Sequence, residues 1–398
     1  MKIGILGAGT ASAISLLKIF ELLKTYYKSQ PDIYCLYDPN IPITHVGEST
    51  SPVLSGILFR VLDFNAVLDL KEFDGTLRWS TNYAWEEANG NNFWVMHGNP
   101  GLHINSEKFA SYVIKKLSEK YSNFYQIHDN VVSVDQDTSG VTVSCSEQTY
   151  KFDYLIDCRG NPSPEELASD EYTISPFQSV NSVILYPHFH EYKEDYTSAY
   201  YHKNGWMFGV PLAHRKAYGY LYNNNITSYE EACKHFAEIK GIDTTNLRKF
   251  SWQSYYKNKV IDGRILYIGN RLYFFEPAQA LPLHHYMNIA EGFIDKILIQ
   301  EMSVDRMNIQ MNQYHLVNVE MMQDLIAMNY VGRIDNPSEF WSYTKESAVK
   351  RLKNSVHWQD WLQKNKLTNG ILGYWRHDNS IMTSYVKGYD IDLDSLLN

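Results

Sequence analysis

The residues with the clearest chemical content open the chain. An apolar run, Ile3, Ile5 and Leu6, drops into Gly7-Ala8-Gly9-Thr10-Ala11-Ser12 and continues in the helical spacing Ile14, Leu17, Ile19, Leu22, Leu23. A second apolar run, Ile33 to Tyr37, ends on Asp38. Strand, glycine turn, helix and a strand ending in a carboxylate are the parts of a βαβ unit that binds a dinucleotide. Gly7 and Gly9 let the backbone approach a pyrophosphate, the N–H groups at the start of the helix meet its charge, and Asp38 can accept hydrogen bonds from a ribose. Ser12 stands where the usual fingerprint has its third glycine, so a small hydroxyl must fit between helix and strand. On these residues alone, a glycine turn in an unrelated α/β protein is the alternative.

The elements that would position this chemistry are legible along the chain. His45-Val46-Gly47-Glu48-Ser49-Thr50-Ser51-Pro52 is a small, polar loop suited to a cofactor or to a helix cap, and it leads into a helix marked by Val53, Leu54, Ile57, Leu58, Val61 and Leu62. Residues 76–85 combine Arg78 with Trp79, Tyr83 and Trp85 and read as a strand. Residues 105–121 form a helix with Phe109, Val113, Ile114 and Leu117 on one stripe. Val131–Val134 and Val141–Val143 flank Asp137-Thr138-Ser139-Gly140 as a hairpin, and Phe152–Gly160 is a buried strand. The tyrosine-rich alternation over about 171–255 predicts an antiparallel sheet; a strand returns at 263–270, and a helix follows over about 284–300, with mostly helix after 305. The predicted fold is mixed α/β: a Rossmann-like FAD-binding domain over 1–303, with the βαβ unit at 1–50, a sheet insertion at about 170–255 and a return to the cofactor at 260–300. A helical substrate-capping region over 304–398 completes it.

Composition narrows the partners. The 398 residues are 44% hydrophobic and 20% charged, ordinary for a globular chain, with a high aromatic share of 14% that suits wide apolar pockets with polar tips. A net charge of −9 offers no basic face for nucleic acid. Cys35, Cys145, Cys158 and Cys233 lie far apart, which fits buried thiols of a cytoplasmic protein better than a zinc site or redox pair. No run approaches a membrane span, so no membrane association is expected, and self-association into a homo-oligomer is left open. Adjacent His284 and His285 point to different sides of a helix and no carboxylate sits at metal spacing, so no metal is expected. Trp358 and Trp361 read as core packing.

In this order the motifs resemble those of the flavin-dependent tryptophan halogenases. The likeness rests on the Gly7–Ser12 turn, on Val46-Gly47-Glu48-Ser49-Thr50-Ser51-Pro52, similar to the family's G-E-A-T-x-P, and on Trp206-Met207-Phe208-Gly209-Val210-Pro211, similar to its W-x-W-x-I-P. It continues through Ile268-Gly269-Asn270 and Phe275-Glu276-Pro277, near G-N-A…F-x-E-P, and through the Val319–Tyr330 helix with Asp335 and Phe340-Trp341. The resemblance implies reduced FAD supplied by a separate flavin reductase, a halide ion oxidised beside the flavin, and passage of hypohalous acid along a tunnel to a small aromatic substrate. It also implies a cofactor-binding set of Gly7, Gly9, Thr10, Ala11, Ser12, Asp38, Gly47, Glu48, Ser49, Val132, Gly269, Asn270, Pro277 and Leu283, and a tunnel motif of Trp206, Phe208 and Pro211.

At three positions the chain departs from that pattern. Arg78 occupies the place of the family's catalytic lysine, and a guanidinium orients by hydrogen bonds but does not readily lose a proton. Gln279 replaces the assisting glutamate and cannot act as a base. Leu281 and Pro282 replace the halide-holding Thr-Gly pair, and proline has no N–H to offer. Three functions are compatible with these changes: halogenation with altered halide preference, favouring bromide or iodide over chloride; FAD-dependent oxygenation or oxidation without halide; and flavin binding without catalysis.

Overall fold

In the computed structural model, which describes residues 1–25, 30–42, 47–191, 193–368 and 370–398, the first strand β1 (Lys2–Leu6) lies between two parallel neighbours. These are β2 (Asp32–Tyr37) and the strand Tyr154–Asp157. Four of the five residues of β1 are buried, as expected of a central parallel strand covered on both faces. Helix α1 (Thr10–Thr25) starts directly after the glycine turn and packs on this sheet through Ile14, Leu17, Phe20 and Leu23. The sheet has six strands, ordered Ile261–Asp262, Ile265–Tyr267, Tyr154–Asp157, β1, β2 and Phe124–His128, and only the first is antiparallel. The predicted Rossmann-like layer is therefore present. The single strand expected over 152–160 is split: Thr149–Phe152 joins a three-stranded meander, and Tyr154–Asp157 enters the parallel sheet.

The antiparallel sheet is larger than its insertion. Besides Ser182–Phe189, Tyr196–His202, Gly205–Leu212, Arg215–Tyr222 and Arg248–Ser251, it takes in β3 (Gly47–Ser49), β4 (Thr76–Trp85) and β5 (Asn91–Asn105). β4 joins it through a parallel pairing with Tyr196–His202, and β3 pairs antiparallel with β5. Helix α2 (Pro52–Leu62) follows β3 with proline in its first turn, where the missing N–H costs no intrahelical bond. The eight-stranded sheet thus stands beside the parallel sheet, with β3 carrying the chain from one to the other.

The C-terminal region is helical, as expected. Val304–Met328, Glu339–Asn354, Val356–Thr368 and Asn379–Gly388 pack through Met322, Trp341, Leu352, Trp358 and Met382 into the main core. Trp358 and Trp361 meet at 4.6 Å between ring centroids and are buried, which is core packing. The pin between these helices is Asp324, wholly buried, whose carboxylate takes Arg351 at 2.9 Å, Tyr374 at 2.8 Å and Ser355 at 2.5 Å. A buried carboxylate with this many donors is held in one geometry, and removing any of them leaves charge unsatisfied.

Candidate active site

A cavity of about 1450 Å³ begins at the glycine turn and runs between the two sheets. At one end it is walled by Gly7, Gly9, Thr10, Ala11 and Asp38. Gly7 adopts φ +98°, a left-handed conformation that favours glycine, and a Cβ there would stand 3.1 Å from the Cys158 carbonyl. Gly9 is the opposite case, since a Cβ added to it would meet no protein atom within 4 Å. That open cradle at the N-terminus of α1 has the room and the N–H polarity that a pyrophosphate requires, so the residues present fit FAD. Asp38 directly follows β2, its Oδ1 accepting from the backbone N–H of Asn40 at 2.8 Å, which fixes the carboxylate at the cavity edge. Gly269 and Asn270 line the same cavity, and Gly269 comes so close to α1 that a Cβ would lie 2.8 Å from that of Ala11.

The middle of the cavity is lined by β3. Gly47, Glu48 and Ser49 all face it, while His45 and Val46 of the same motif lie outside the described residues. Burial pushes the Glu48 carboxyl up, while Ser106 at 2.6 Å and Thr10 at 3.3 Å donate to it. Glu48 therefore ties β3 to the start of α1. Pro277 and Leu283 also line the cavity. Ser12 does not: it is fully buried at the helix–sheet contact near Cys158, as a small residue in the third glycine's place must be. Val132 does not either. The pairing of Val131–Gln136 with its neighbour slips between Val131 and Ser133, so Val131 lines the cavity and Val132 is 67% exposed.

Arg78 and Gln279 both line the cavity farther along. The register between β4 and β5 breaks between Arg78 and Ser80. Across this irregularity Arg78, Thr81, Tyr83 and Trp85 all reach the cavity, although a regular strand would send residues 78 and 81 to opposite faces. Arg78 is only 5% exposed. Its Nε donates to Thr197 Oγ1 at 2.9 Å, Nη1 to the Thr50 carbonyl at 3.0 Å and Nη2 to Thr81 Oγ1 at 2.6 Å. Beyond Thr197 lies His103, whose Nε2 is 3.0 Å from Thr197 Oγ1 and whose Nδ1 is 2.9 Å from Thr76 Oγ1. Thr76 gives its proton to the Pro211 carbonyl at 2.8 Å, so His103 Nδ1–H must be the donor to Thr76, and Nε2 the acceptor from Thr197. Burial, with Arg78 nearby, holds His103 well below its ordinary pKa, which agrees with a neutral ring. Pro211 itself does not line the cavity; its role is to accept Thr76.

Gln279 sits in a strained turn. It has φ 60° and Ala280 φ 54°, two successive left-handed residues that are not glycine, immediately before the helix Leu281–Ile294. Its amide is fixed from both sides: Nε2 donates to Asn329 Oδ1 at 2.7 Å, and His377 Nε2 meets Oε1 at 2.7 Å. Because Oε1 is an acceptor, His377 is the donor, and burial keeps that imidazole neutral with its pKa down at about 4. The helix begins three residues before the expected 284, with Pro282 in its first turn and facing the cavity, whereas the Leu281 side chain is buried in the core.

The Phe275-Glu276-Pro277 motif is legible in the sequence, but a role for the Glu276 carboxyl is not. Glu276 lines the cavity at 4% exposure, accepts from Tyr330 at 2.7 Å and from Ser179, and burial pushes its pKa up to about 8. Tyr330 in turn accepts from Trp206 Nε1 at 3.0 Å. Trp206 and Phe208, the predicted tunnel residues, both line the cavity and meet at 6.4 Å. Tyr83, Trp85, Tyr330, Trp341 and Tyr389 make the remaining wall an aromatic cluster, with Trp85 packed edge-on against Trp341 and Tyr389 at 6.1 and 5.4 Å. Their spacing over three hundred residues leaves no local signal in the sequence.

A mostly parallel sheet whose glycine turn opens on one cavity, joined through it to a buried cation and an aromatic wall, has the architecture of a dinucleotide-binding fold with a second, aromatic-lined compartment. The sequence profile of the tryptophan halogenase family matches residues 2–126 and 91–384, and the chain belongs to that family. Curated relatives include the tryptophan 7-halogenase RebH of Lentzea aerocolonigenes, 23% identical over 270 residues, which are 62% of this chain and 47% of RebH. The tryptophan 6-halogenase ThaL of Streptomyces albogriseolus is 22% identical over 291 residues, 68% of this chain and 50% of ThaL. The chain thus spans about half the length of the curated relatives it matches. Among solved structures, a tryptophan halogenase from Shewanella frigidimarina shares the fold with a TM-score of 0.83 at 16% identity, over 98% of this chain and 89% of that one. Xcc4156, a flavin-dependent halogenase from Xanthomonas campestris, gives 0.79 at 15% identity over 98% and 89%. No helix among the described residues is long and apolar enough to cross a membrane.

Proposed function

We propose that the chain is a cytoplasmic flavin-dependent halogenase that uses reduced FAD, oxygen and a halide to halogenate an electron-rich aromatic such as tryptophan, an indole or a phenol. The observation that carries this reading is the single cavity that joins the cradle at Gly9 to Arg78, Gln279 and the aromatic wall. When bound, the flavin supplies the oxidising chemistry. The chain's own residues supply position and charge. Arg78 orients an oxidised halogen species by hydrogen bonds, and Gln279, locked by Asn329 and His377, presents a fixed amide that polarises without taking a proton. Glu276, its pKa pushed up to about 8, holds a proton at neutral pH in the same cavity and can act as an acid there. Only one dinucleotide fingerprint is present in the chain, which supports a separate flavin reductase as the source of reducing equivalents.

Halide is held beside Leu281 and Pro282. Pro282 offers no N–H, so the site binds weakly, and chloride, the most strongly hydrated of the three halides, loses most on leaving water. The same proline favours the second reading, oxidation or oxygenation without halide. The deciding experiment supplies the chain with reduced FAD from a separate reductase, oxygen, one halide at a time, and tryptophan, indole or phenol, and weighs the products. We expect a halide-dependent mass shift whose product yield rises from chloride to bromide to iodide, and a gain in chloride turnover in Pro282→Ala, which restores the N–H. Flavin reoxidation with no halogenated product for any halide, in either protein, would leave the halide-free readings. Rapid anaerobic bleaching of bound flavin by NADPH alone would argue for a self-reducing monooxygenase.

A further inference from the structure

Arg78 is anchored through each of its nitrogens but has no charged partner among the described residues. Each of its three nitrogens has a partner, yet every partner is a neutral oxygen: two threonine hydroxyls and one carbonyl. A guanidinium carries five N–H groups, so one hydrogen on Nη1 and one on Nη2 have no acceptor among the described residues. The histidines around it, His97 and His103, are held neutral by burial and by Arg78 itself, His97 with its pKa down at about 3, and imidazole offers no negative charge in any case. The groups whose fields act on Arg78 are the hydroxyls of Tyr83 and Tyr385, which meet each other at 3.0 Å and stay protonated. Arg159, which lines the same cavity near the cofactor turn, shows the contrast: it is paired with Asp157 at 2.7 Å.

A charge buried this deeply and left without a counter-ion among the described residues is costly to keep out of water. A structural arginine would be expected to have a carboxylate. We infer that Arg78 is the receptor for an anionic oxygen carried by an aromatic ligand, a phenolate or a ring carboxylate, with the ring against Tyr83, Trp85 and Trp206. The inference rests on the proposed reading that this end of the cavity belongs to the aromatic substrate. Neutral indoles leave the charge uncompensated, whereas an anionic ring both pairs with the guanidinium and stacks on the wall. Arginine suits this task because it stays charged over the whole working range and keeps two N–H groups, one for the ring's anionic oxygen and one for the oxidised halogen species that the proposed function gives it.

Binding alone tests the inference, with no turnover required. The full-length chain, with and without saturating oxidised FAD and free of halide, is titrated near neutral pH with 4-nitrophenol, benzoate, and their neutral counterparts 4-nitroanisole and benzamide. The expected result is at least about tenfold preference for each anion over its neutral counterpart, with bound nitrophenol coloured as phenolate and its apparent pKa lowered by about one unit. Arg78→Gln should abolish the preference and Arg78→Lys should keep most of it. Benzoate without nitrophenolate binding would assign the site to carboxylates, and the reverse to phenols. Equal binding of charged and neutral rings to the unmodified chain overturns the inference without any variant, as does a preference that survives in Arg78→Gln. Competition by bromide but by neither anion would make Arg78 a halide site and also overturns it. A chain that binds the anions but halogenates nothing retains this inference while the proposed function fails.

Discussion

Gly9 separates the fold from the cofactor more cleanly than any other residue in the turn. A valine there meets no protein atom through its Cβ, because nothing lies within 4 Å of that position. The direct cost to folding is the change of residue ahead of Thr10, where α1 begins, about 1 kcal/mol for loss of a favourable cap. Toward a ligand the effect is much larger. The valine methyls would stand where a pyrophosphate must approach the N–H groups of α1, and losing two charge-assisted hydrogen bonds costs about 3–6 kcal/mol. That corresponds to roughly a hundredfold to ten-thousandfold loss of FAD affinity. Flavin titration followed by fluorescence gives the affinity, and a thermal melt of the flavin-free chain gives the stability. Gly7→Ala should behave the other way: with φ +98° and a Cβ 3.1 Å from the Cys158 carbonyl, it should destabilise the flavin-free chain by about 1–2 kcal/mol. Gly9→Val that binds FAD within tenfold of the unmodified chain, whatever its melting temperature, would falsify the placement of the pyrophosphate over this turn.

Two further outcomes follow from the charged and strained groups beyond the turn. The folded chain keeps a proton on Glu276 up to about pH 8, whereas the unfolded chain releases it near 4.5; stability is therefore greatest below that window and falls as pH rises through it. Glu276→Gln removes the titration while keeping an acceptor for Tyr330, so its melting temperature should gain on the unmodified chain between about pH 5 and 8, and parallel curves would sink the assignment of a buried neutral acid. Ala280→Gly should raise the melting temperature by about 1–2 °C, because glycine holds the observed φ of 54° without the left-handed penalty; a fall would mean that the Ala280 methyl contributes packing that outweighs the strain.

Much of the frame was legible because its signals are local. The strand over 76–85 and the helix Ser106–Lys120 appear where periodicity places them, and the glycine turn falls between β1 and α1. What escaped was non-local or irregular. The parallel pairing that brings β4 into the large sheet depends on a strand more than a hundred residues away, and no spacing within β4 announces it. The helix after the E-P motif starts earlier than expected because Pro282, which reads as a loop residue, is favoured in a helix's first turn. The family resemblance places Val132 at the cofactor, but a slip in register turns it to solvent and puts Val131 at the cavity instead.

The same limit explains why the three departures from the family pattern could be named but not weighed. Arg78 and Gln279 are visible as substitutions in a line of letters, yet what each can do depends on partners from distant segments. Gln279 is clamped by Asn329 and by His377, fifty and ninety-eight residues away, so it is a fixed amide rather than a free one. Arg78 is surrounded by neutral donors and acceptors from Thr50, Thr81 and Thr197, so its charge is unanswered within the described residues. An amide held rigid and a cation left unpaired make different demands on what enters the cavity. The first requires a partner to hydrogen-bond and asks for no charge; the second selects for negative charge, and selection by charge is what distinguishes this wall from one built only of tyrosine and tryptophan.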